Sequence, residues 1–249
     1  MNKTAIEWCD MTWNPVTGCL HNCEYCYARK IADRFQINDV GKYVDIPFNE
    51  WEKYSKGDKI YSRYFRPRFH SVRLNEPTKI KKPQNVFVCS MADLFGRWVP
   101  DLWIQEVFAA CEKAPQHRYL FLTKSPERYI RLSEKGMLPK SQNYWFGSTT
   151  VNGEAPYFYS NWYTAKTFIS IEPIQSDFYY DHTIIKCDWV IVGQETGNRK
   201  GKVIPKREWI ENIVNACRDA KVPVFLKDNL ASVWGEPLIQ EYPWKEEQK

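Results

Sequence analysis

Apolar and polar positions alternate between two periods along most of this chain. Short runs rich in β-branched and aromatic residues are typical of buried strands, and the stretches between them carry apolar residues at helical spacing. The predicted strands cover residues 6–12, 85–89, 119–122, 144–147, 167–171, 189–193 and 223–226. The predicted helices cover residues 100–114, 126–134 and 205–220. Beyond residue 84, a unit of one strand and one helix therefore recurs about six times.

This alternation predicts a parallel sheet with right-handed crossover connections. We expect an α/β fold, a partial (β/α)6–7 barrel of the TIM-barrel type, with residues 1–249 in a single domain. In such a fold the chemistry lies at the carboxyl ends of the strands. Polar residues follow the predicted strands at positions 90–93, 123–124, 148–150, 172, 194–196 and 227–229. Taken singly, any of these positions also fits a turn or a helix cap.

Composition excludes several classes of protein. Hydrophobic residues make up 43% of the chain and charged residues 26%, which suits a globular core rather than a disordered or fibrous chain. No run approaches 18 apolar residues, and the first residues lack a secretory signal, so we expect a cytoplasmic protein with no membrane partner. Eight cysteines are too sparse for a disulfide scaffold in 249 residues. We therefore expect reduced thiols.

Positive charge is concentrated in one segment. Residues 51–85 hold ten basic and three acidic residues, a net charge of +7 within a chain whose net charge is +5. Six aromatic residues are interleaved with them, and this combination suits phosphate contact and base stacking. We interpret residues from about 40 to 84 as an insertion, with Arg63, Arg66 and Arg68 as nucleic-acid-binding residues. The alternative is a solvated insertion whose aromatic residues cover the barrel.

Three cysteines stand close together near the start of the chain. Cys19, Cys23 and Cys26 have the spacing C-x3-C-x2-C, between a predicted strand and a helix that begins near residue 27. Thiolates bind both iron-sulfur clusters and structural zinc. Structural zinc requires four ligands, so it would need His21 or Cys9 as the fourth. A [4Fe-4S] cluster on three cysteines would instead keep one iron open, and a set of unrelated cysteines is the third alternative.

Longer motifs resemble a known family. They are IEWCDMTWNPVTGC at 6–19, VFVCSMADLFGRWVP at 86–100, HRYLFLTKSPERY at 117–129, FISIEPI at 168–174, DWVIVGQETG at 188–197 and VPVFLK at 222–227. In this order they resemble a phage-associated radical S-adenosylmethionine (SAM) family, long described as a domain of unknown function and distantly similar to spore photoproduct lyase. The chain departs from the family pattern at residues 149–152, 193–197 and 227–230, where substrate choice is expected to differ.

The resemblance implies a radical SAM barrel with two cofactors. A [4Fe-4S] cluster would lie on Cys19, Cys23 and Cys26, with SAM on its open iron. By the same resemblance, the residues that bind SAM would be Tyr25, Ser90, Asp93, Lys124, Ser148 and Glu172. Tyr25 is expected beside the adenine, and a lysine suits the SAM carboxylate because it neutralises charge in a partly dry pocket. For Glu172, a structural ion pair is the alternative.

The implied reaction needs an external one-electron reductant of the flavodoxin or ferredoxin type. Reductive cleavage of SAM would give a 5'-deoxyadenosyl radical that abstracts hydrogen from the substrate. The basic segment favours a nucleic acid or nucleotide substrate, for repair or modification. Two alternatives remain, a radical SAM enzyme that acts on a peptide or small metabolite and a non-enzymatic zinc-containing module that binds nucleic acid. Cys89 is a candidate catalytic residue, as a hydrogen donor, or else a buried strand residue.

Overall fold

The computed structural model describes residues 1–35, 44–45, 65–153, 157–159, 165–178 and 185–244. These residues form two compact units. Unit 1 comprises Met1–Ala5 and Cys9–Pro139, and unit 2 comprises Ile6–Trp8 and Lys140–Lys249.

Unit 1 contains a mostly parallel sheet and a small antiparallel one. Its strands are β1 (Asn2–Lys3), β2 (Met11–Trp13), β3 (Val16–Thr17), β4 (Val44–Asp45), β5 (Arg68–Phe69), β6 (Asn85–Val88) and β7 (Arg118–Thr123). Strand β1 is antiparallel to β2, whereas β2, β6 and β7 are parallel neighbours. The small sheet has the order β3-β5-β4. Consequently, the carboxyl ends of β2, β6 and β7 share one edge.

The described residues of unit 1 contain three helices. They are α1 (Tyr27–Phe35), α2 (Asp101–Glu112) and α3 (Glu127–Glu134), with 3-10 turns at Ser71–Arg73 and Pro77–Lys79. Helix α2 buries the side chains of Ile104, Val107, Phe108 and Cys111. This spacing of three or four residues places one apolar stripe of the helix in the core.

The described residues of unit 2 include four parallel strands. They are β8 (Tyr144–Thr150), β9 (Lys166–Ile171), β10 (Val190–Val192) and β11 (Val224–Leu226), paired in chain order. The helices are α4 (Arg207–Ala220) and α5 (Ala231–Trp234), with a 3-10 turn at Asp228–Leu230. The apolar face of α4, at residues 210, 213, 214 and 217, is buried in one cluster with residues of β9, β10 and β11.

Aromatic packing joins distant segments of unit 2. The Trp189 ring is fully buried and lies 6.4 Å from the ring of Trp8 and 6.0 Å from that of Phe168. It also contacts Trp244 edge-on at 5.0 Å. Because aromatic pairs of this kind stabilise a core beyond their buried area, residues 6–8 are held in unit 2 although they lie near the start of the chain.

The α/β class and the mostly parallel strand pairing are confirmed. The six strands and three helices predicted beyond residue 84 are each present, with ends shifted by three residues or fewer. The first predicted strand, at 6–12, is found at Met11–Trp13, because Trp8 packs in the aromatic core of unit 2 instead of joining a sheet. Within the described residues, neither unit contains a closed barrel. No helix in the described part of the chain is long and apolar enough to cross a bilayer.

Replacing Gly147 tests the packing of β8 on β9. A Cβ at this position would lie 2.3 Å from the Phe168 ring, which is fully buried. We expect Gly147→Ala to lower the free energy of unfolding by about 1–3 kcal/mol, the usual effect of overpacking. Denaturant titration measures this. The control is Gly153→Ala, whose Cβ would meet Phe178 at an ordinary 3.6 Å. Equal stability of the two variants would contradict the packing assigned to β8.

Candidate functional site

The loop between β2 and α1 is attached to the segment that follows β6. The side-chain oxygen of Asn14 accepts hydrogen bonds from the backbone N–H of Met91 at 2.9 Å and from the Ser90 hydroxyl at 3.3 Å. The backbone N–H of Gly18 donates to the Met91 carbonyl at 2.8 Å. Arg73 donates to the Asn14 carbonyl at 3.0 Å. The loop that carries the cysteines is therefore held at the carboxyl edge of the unit 1 sheet.

Glycine is required at position 18. Its φ is +86°, and a Cβ there would lie 1.9 Å from the carbonyl oxygen of Arg66. The next residue, Cys19, donates its backbone N–H to the Phe65 carbonyl at 3.1 Å. The left-handed conformation and the close backbone approach together place Cys19 against this segment, and only glycine allows both.

All three cysteines of the motif line one pocket. The other lining residues are His21, Asn22, Arg29 and Phe65. Cys9, one of the two candidates for a fourth zinc ligand, is not among them, whereas His21 is. Within the described residues, no group of three or more Cys, His, Asp or Glu side chains is arranged to hold a single metal ion.

The surroundings of the cysteines oppose and favour thiolates at the same time. Burial raises the pKa of the Cys19 thiol well above its ordinary value, and the nearby charge of Asp93 raises it further. Burial also raises the pKa of Cys23, although the cations of Lys124 and Arg29 and a hydrogen bond from Tyr25 act in the opposite direction. Thiols of this kind lose their protons when a metal binds, and the cations are then positioned to stabilise the thiolates.

Helix α1 begins directly after the third cysteine. The Cys26 sulfur accepts the backbone N–H of Arg29 at 3.4 Å, in the first turn of the helix. The Arg29 guanidinium donates to the Cys23 carbonyl at 2.9 Å and also to the side chain of Asn22. A helix N-terminus carries a partial positive charge, so both the helix and Arg29 favour anionic sulfur in this pocket.

Asp93 connects the cysteine loop to the end of β7. One of its carboxylate oxygens accepts the Thr123 hydroxyl at 2.7 Å and the backbone N–H of Phe95 at 3.0 Å. The other accepts the backbone N–H of Lys124 at 2.9 Å and His21 Nε2 at 2.7 Å. Burial alone would raise the pKa of the Asp93 carboxyl, but these donors, His21 foremost, lower it. Four donors therefore hold a buried carboxylate in its ionised form.

Tyr25 and Lys124 meet beside the cysteine loop. The Lys124 ammonium lies 3.3 Å from the Tyr25 hydroxyl and 5.3 Å from the centre of the ring. The Tyr27 hydroxyl donates to the Ser90 carbonyl at 2.7 Å. Four of the residues predicted to bind SAM, Tyr25, Ser90, Asp93 and Lys124, thus lie around the loop that carries the three cysteines.

One protein family matches this chain over nearly its whole length. The matching profile covers residues 3–241, and its description is "Protein of unknown function (DUF5131)". The chain belongs to the DUF5131 family. No curated protein and no solved structure matches it.

The other two residues predicted to bind SAM lie in unit 2 of this DUF5131 chain. Ser148 is fully buried in β8, and its hydroxyl oxygen accepts the backbone N–H of Phe158 at 2.9 Å. Glu172, directly after β9, forms an ion pair with Lys227, directly after β11. The ion pair considered as the alternative for Glu172 is therefore present, and the assignment of both residues to SAM stays a prediction.

Cys89 is buried at the end of β6. Its side chain is 2% exposed, and burial raises the pKa of its thiol to about 12. The thiol form is the one that can donate a hydrogen atom. However, Cys89 is not among the residues that line the pocket of the three cysteines. The surroundings of Cys89 fit the alternative interpretation, in which it is a buried residue of the strand.

The predicted nucleic-acid-binding arginines are placed differently from one another. Arg68 is only 7% exposed in β5, so its proposed phosphate contact at the surface is not supported. Arg66 is partly exposed. Arg63 lies outside the described residues, as do residues 40–43 and 46–64 of the predicted insertion.

Sequence reasoning missed the supports of the cysteine loop. Asn14 and Arg29 were not predicted as site residues, and His21 was considered only as a fourth ligand. The positions of Arg29 and Asn14 could have been singled out from the sequence. Arg29 follows Cys26 by three residues, which is the first turn of the predicted helix, and Asn14 follows the first strand. The partners of the Asn14 side chain lie more than 70 residues away, so its hydrogen bonds could not be predicted from the sequence.

Replacing Asp93 by asparagine tests its role as the support of the loop. Asn cannot accept all four donors, so we expect Asp93→Asn to lower the free energy of unfolding by roughly 2–3 kcal/mol at neutral pH. Because the pKa of Asp93 is lowered in the folded state, its stabilisation is present above the ordinary carboxyl pKa and is lost as the pH falls through the lowered value. Denaturant titrations at a series of acid pH values should therefore show that the free energy of unfolding depends less on pH in the variant than in the wild type.

The matched control is Asp101→Asn. Asp101 also has a lowered pKa, caused first by its hydrogen bond from Lys135, but its side chain is 32% exposed. Ion pairs in such positions contribute about 1 kcal/mol or less. If Asp93→Asn were no more destabilising than Asp101→Asn, Asp93 would not be the support of the loop.

Proposed function

We propose that this protein is a radical SAM enzyme that acts on a nucleic acid or nucleotide. Cys19, Cys23 and Cys26 hold a [4Fe-4S] cluster, and SAM binds to the iron that the chain leaves open. The carrying observation is that the three cysteines line one pocket with cations beside them. An external one-electron reductant of the flavodoxin or ferredoxin type completes the system. The fold expected for this function is a partial barrel.

The residues around the pocket fit a cluster in both number and charge. In a cluster of this type each cysteine binds a different iron, so three cysteines around one pocket leave a single iron without a protein ligand. Three thiolates carry three negative charges. Arg29, Lys124 and the first turn of α1 supply positive charge next to Cys23 and Cys26. This compensation favours an anionic metal site over three separate thiols.

When bound, the cluster supplies the electron that cleaves SAM into methionine and a 5'-deoxyadenosyl radical. The protein itself binds and orients. Lys124 neutralises the carboxylate of SAM, and Tyr25, which lies 3.3 Å from the Lys124 ammonium, packs beside the adenine. Asp93 does not bind SAM, because its four acceptor positions are already used. It holds His21 and the backbone of Lys124 in place, and so positions the pocket.

A nucleic acid substrate is supported by the charge of residues 51–85. This segment has a net charge of +7 and six interleaved aromatic residues. Phosphates bind such surfaces electrostatically, and bases stack on the aromatic rings. Of the two predicted arginines that are described, Arg66 is partly exposed.

One observation favours a second candidate function, a zinc-containing module that binds nucleic acid. His21 lines the cysteine pocket, and Asp93 holds its Nε2 at 2.7 Å. A carboxylate that orients a histidine through one ring nitrogen is a common arrangement around zinc. With the three cysteines, His21 would supply the four ligands that structural zinc requires, although these side chains are not arranged around a single ion in the described residues. Metal analysis separates the two candidates.

Anaerobic reconstitution with iron and sulfide tests the proposed function. We expect about four iron and four sulfide per chain, and formation of 5'-deoxyadenosine from SAM on reduction. Cys23→Ala should remove both while the circular dichroism spectrum is unchanged. Cys9→Ala is the matched control, since Cys9 is close in sequence but does not line the pocket. Tight binding of one zinc, lost in His21→Ala, with no cleavage of SAM would establish the zinc module instead.

Salt-dependent binding of single-stranded oligonucleotides tests the substrate class. Each phosphate contact adds about 0.7 to the slope of log affinity against log salt concentration. We expect Arg63→Gln with Arg66→Gln to weaken binding and to reduce this slope. The control is Lys113→Gln, an exposed cation beyond the end of α2. An affinity that is independent of salt, or unchanged in the double variant, would exclude this segment as the binding surface.

A further inference from the structure

Helix α1 carries a row of exposed apolar side chains. Tyr27, Ile31 and Phe35 are 46%, 38% and 67% exposed. They follow one another at a spacing of four residues, so they lie one after another along the helix. Single exposed apolar residues are ordinary on a protein surface, whereas a contiguous group marks an interaction surface. None of the roles assigned above accounts for this row.

Another side of α1 packs against the cysteine loop. Ala28 and Ala32 are buried in one cluster with Phe65, and Cys19 and Cys26 pack against that cluster. The Cys26 sulfur also accepts a backbone N–H from the first turn of the helix. An α-helix with its side chains is about 10–12 Å across. The exposed row is therefore separated from the cysteines by no more than the thickness of one helix.

Two exposed cations lie beside the row. Lys30 and Arg34 each follow a member of the row by three residues, a spacing that places them on the same face of the helix. The Arg34 guanidinium lies 5.6 Å from the centre of the Phe35 ring. The acidic residue of the helix, Asp33, is two positions from Ile31 and from Phe35, so it does not share their face. The face is therefore apolar and basic.

The position of this face suits a partner that supplies electrons better than it suits a substrate. None of the residues of the face lines the pocket of the three cysteines. Abstraction of hydrogen requires contact between the radical and the substrate, whereas an electron can pass through the intervening protein. A partner bound to α1 is thus close enough to reduce a cluster at the cysteines without entering their pocket.

We propose that the exposed face of α1 is the docking surface for an acidic flavodoxin, and that it consists of Tyr27, Lys30, Ile31, Arg34 and Phe35. An apolar centre beside a charged rim is the usual anatomy of a protein interface. The aromatic rings suit the flat apolar edge of a flavin, and the two cations suit acidic residues around it. The inference deepens the proposed function, on whose cluster it rests.

The transfer across this surface involves one electron. The reduced flavin loses the electron and the cluster gains it, and no bond forms or breaks. The role of the α1 face is to hold the flavin near the cysteines for long enough that the electron can cross. Electrostatic attraction between the two cations and an acidic partner increases the rate of encounter and weakens as salt is added.

Affinity for a flavodoxin tests the inference. Isothermal titration calorimetry on the full-length reconstituted protein gives the dissociation constant at low and high salt. We expect Lys30→Glu with Arg34→Glu to weaken binding about tenfold or more at low salt, because like charges then face each other. Ile31→Ala, which keeps the charge, should weaken binding at both salt concentrations. The matched control is Lys113→Glu with Arg131→Glu, two exposed cations elsewhere in unit 1 whose reversal changes the net charge equally.

Two reductants separate this inference from the proposed function. Dithionite is a small molecule that needs no docking surface, so it should support equal formation of 5'-deoxyadenosine in the wild type and in the Lys30→Glu, Arg34→Glu variant. With a limiting concentration of reduced flavodoxin, this variant should form it about tenfold or more slowly. No 5'-deoxyadenosine from the wild type with dithionite would sink the radical SAM proposal, whereas the binding measurement needs no turnover.

The inference is overturned if the wild type does not bind flavodoxin, if its affinity is independent of salt, or if the control variant loses as much affinity as Lys30→Glu with Arg34→Glu. It is also overturned if that double variant keeps its affinity for flavodoxin but loses its affinity for oligonucleotides, because the face would then bind nucleic acid. The salt dependence of the wild type and the Ile31→Ala variant keep the test decisive even if the double variant does not fold.

Discussion

The buried carboxylate of Asp93 is the interaction on which the candidate site depends. A carboxylate removed from water is costly unless its oxygens are hydrogen-bonded. Here donors come from three segments, namely His21 in the cysteine loop, Phe95 after β6, and Thr123 with Lys124 at the end of β7. The position of His21 and of the loop around it is therefore tied to the carboxyl edge of the unit 1 sheet. Removal of one carboxylate would leave four donors without their acceptor.

Each unit places its polar groups where its parallel strands end. In unit 1 this edge carries the cysteine loop with Lys124, and in unit 2 it carries Glu172 and Lys227. The chemistry of the two edges differs. Thiols beside cations suit an anionic metal cluster. In unit 2 the carboxylate and the ammonium are paired with each other. Within each unit, a common strand direction brings together residues that are far apart in sequence.

Much of the fold was predictable because strands buried on both faces are nearly continuous apolar runs, as in residues 85–88, and helix α4 has a clear apolar stripe. The three cysteines that share the motif also line one pocket. Two other predictions failed because they depended on burial against residues far away in the sequence. Trp8 looks like part of a strand but packs on Trp189, and Arg68 looks like a surface cation but is buried in β5. Burial against distant residues is not written in the local pattern.

The sequence by itself determined the α/β class, the order of strands and helices, and the three thiols as candidate ligands, because these depend on residues within a few positions of one another. Tertiary structure decided what each polar residue contacts. Asp93 is held by four donors from three segments. Glu172 gained Lys227, 55 residues later, as its partner. Such pairings arise only when parallel strands align their ends, since chain distance does not specify which ends become neighbours.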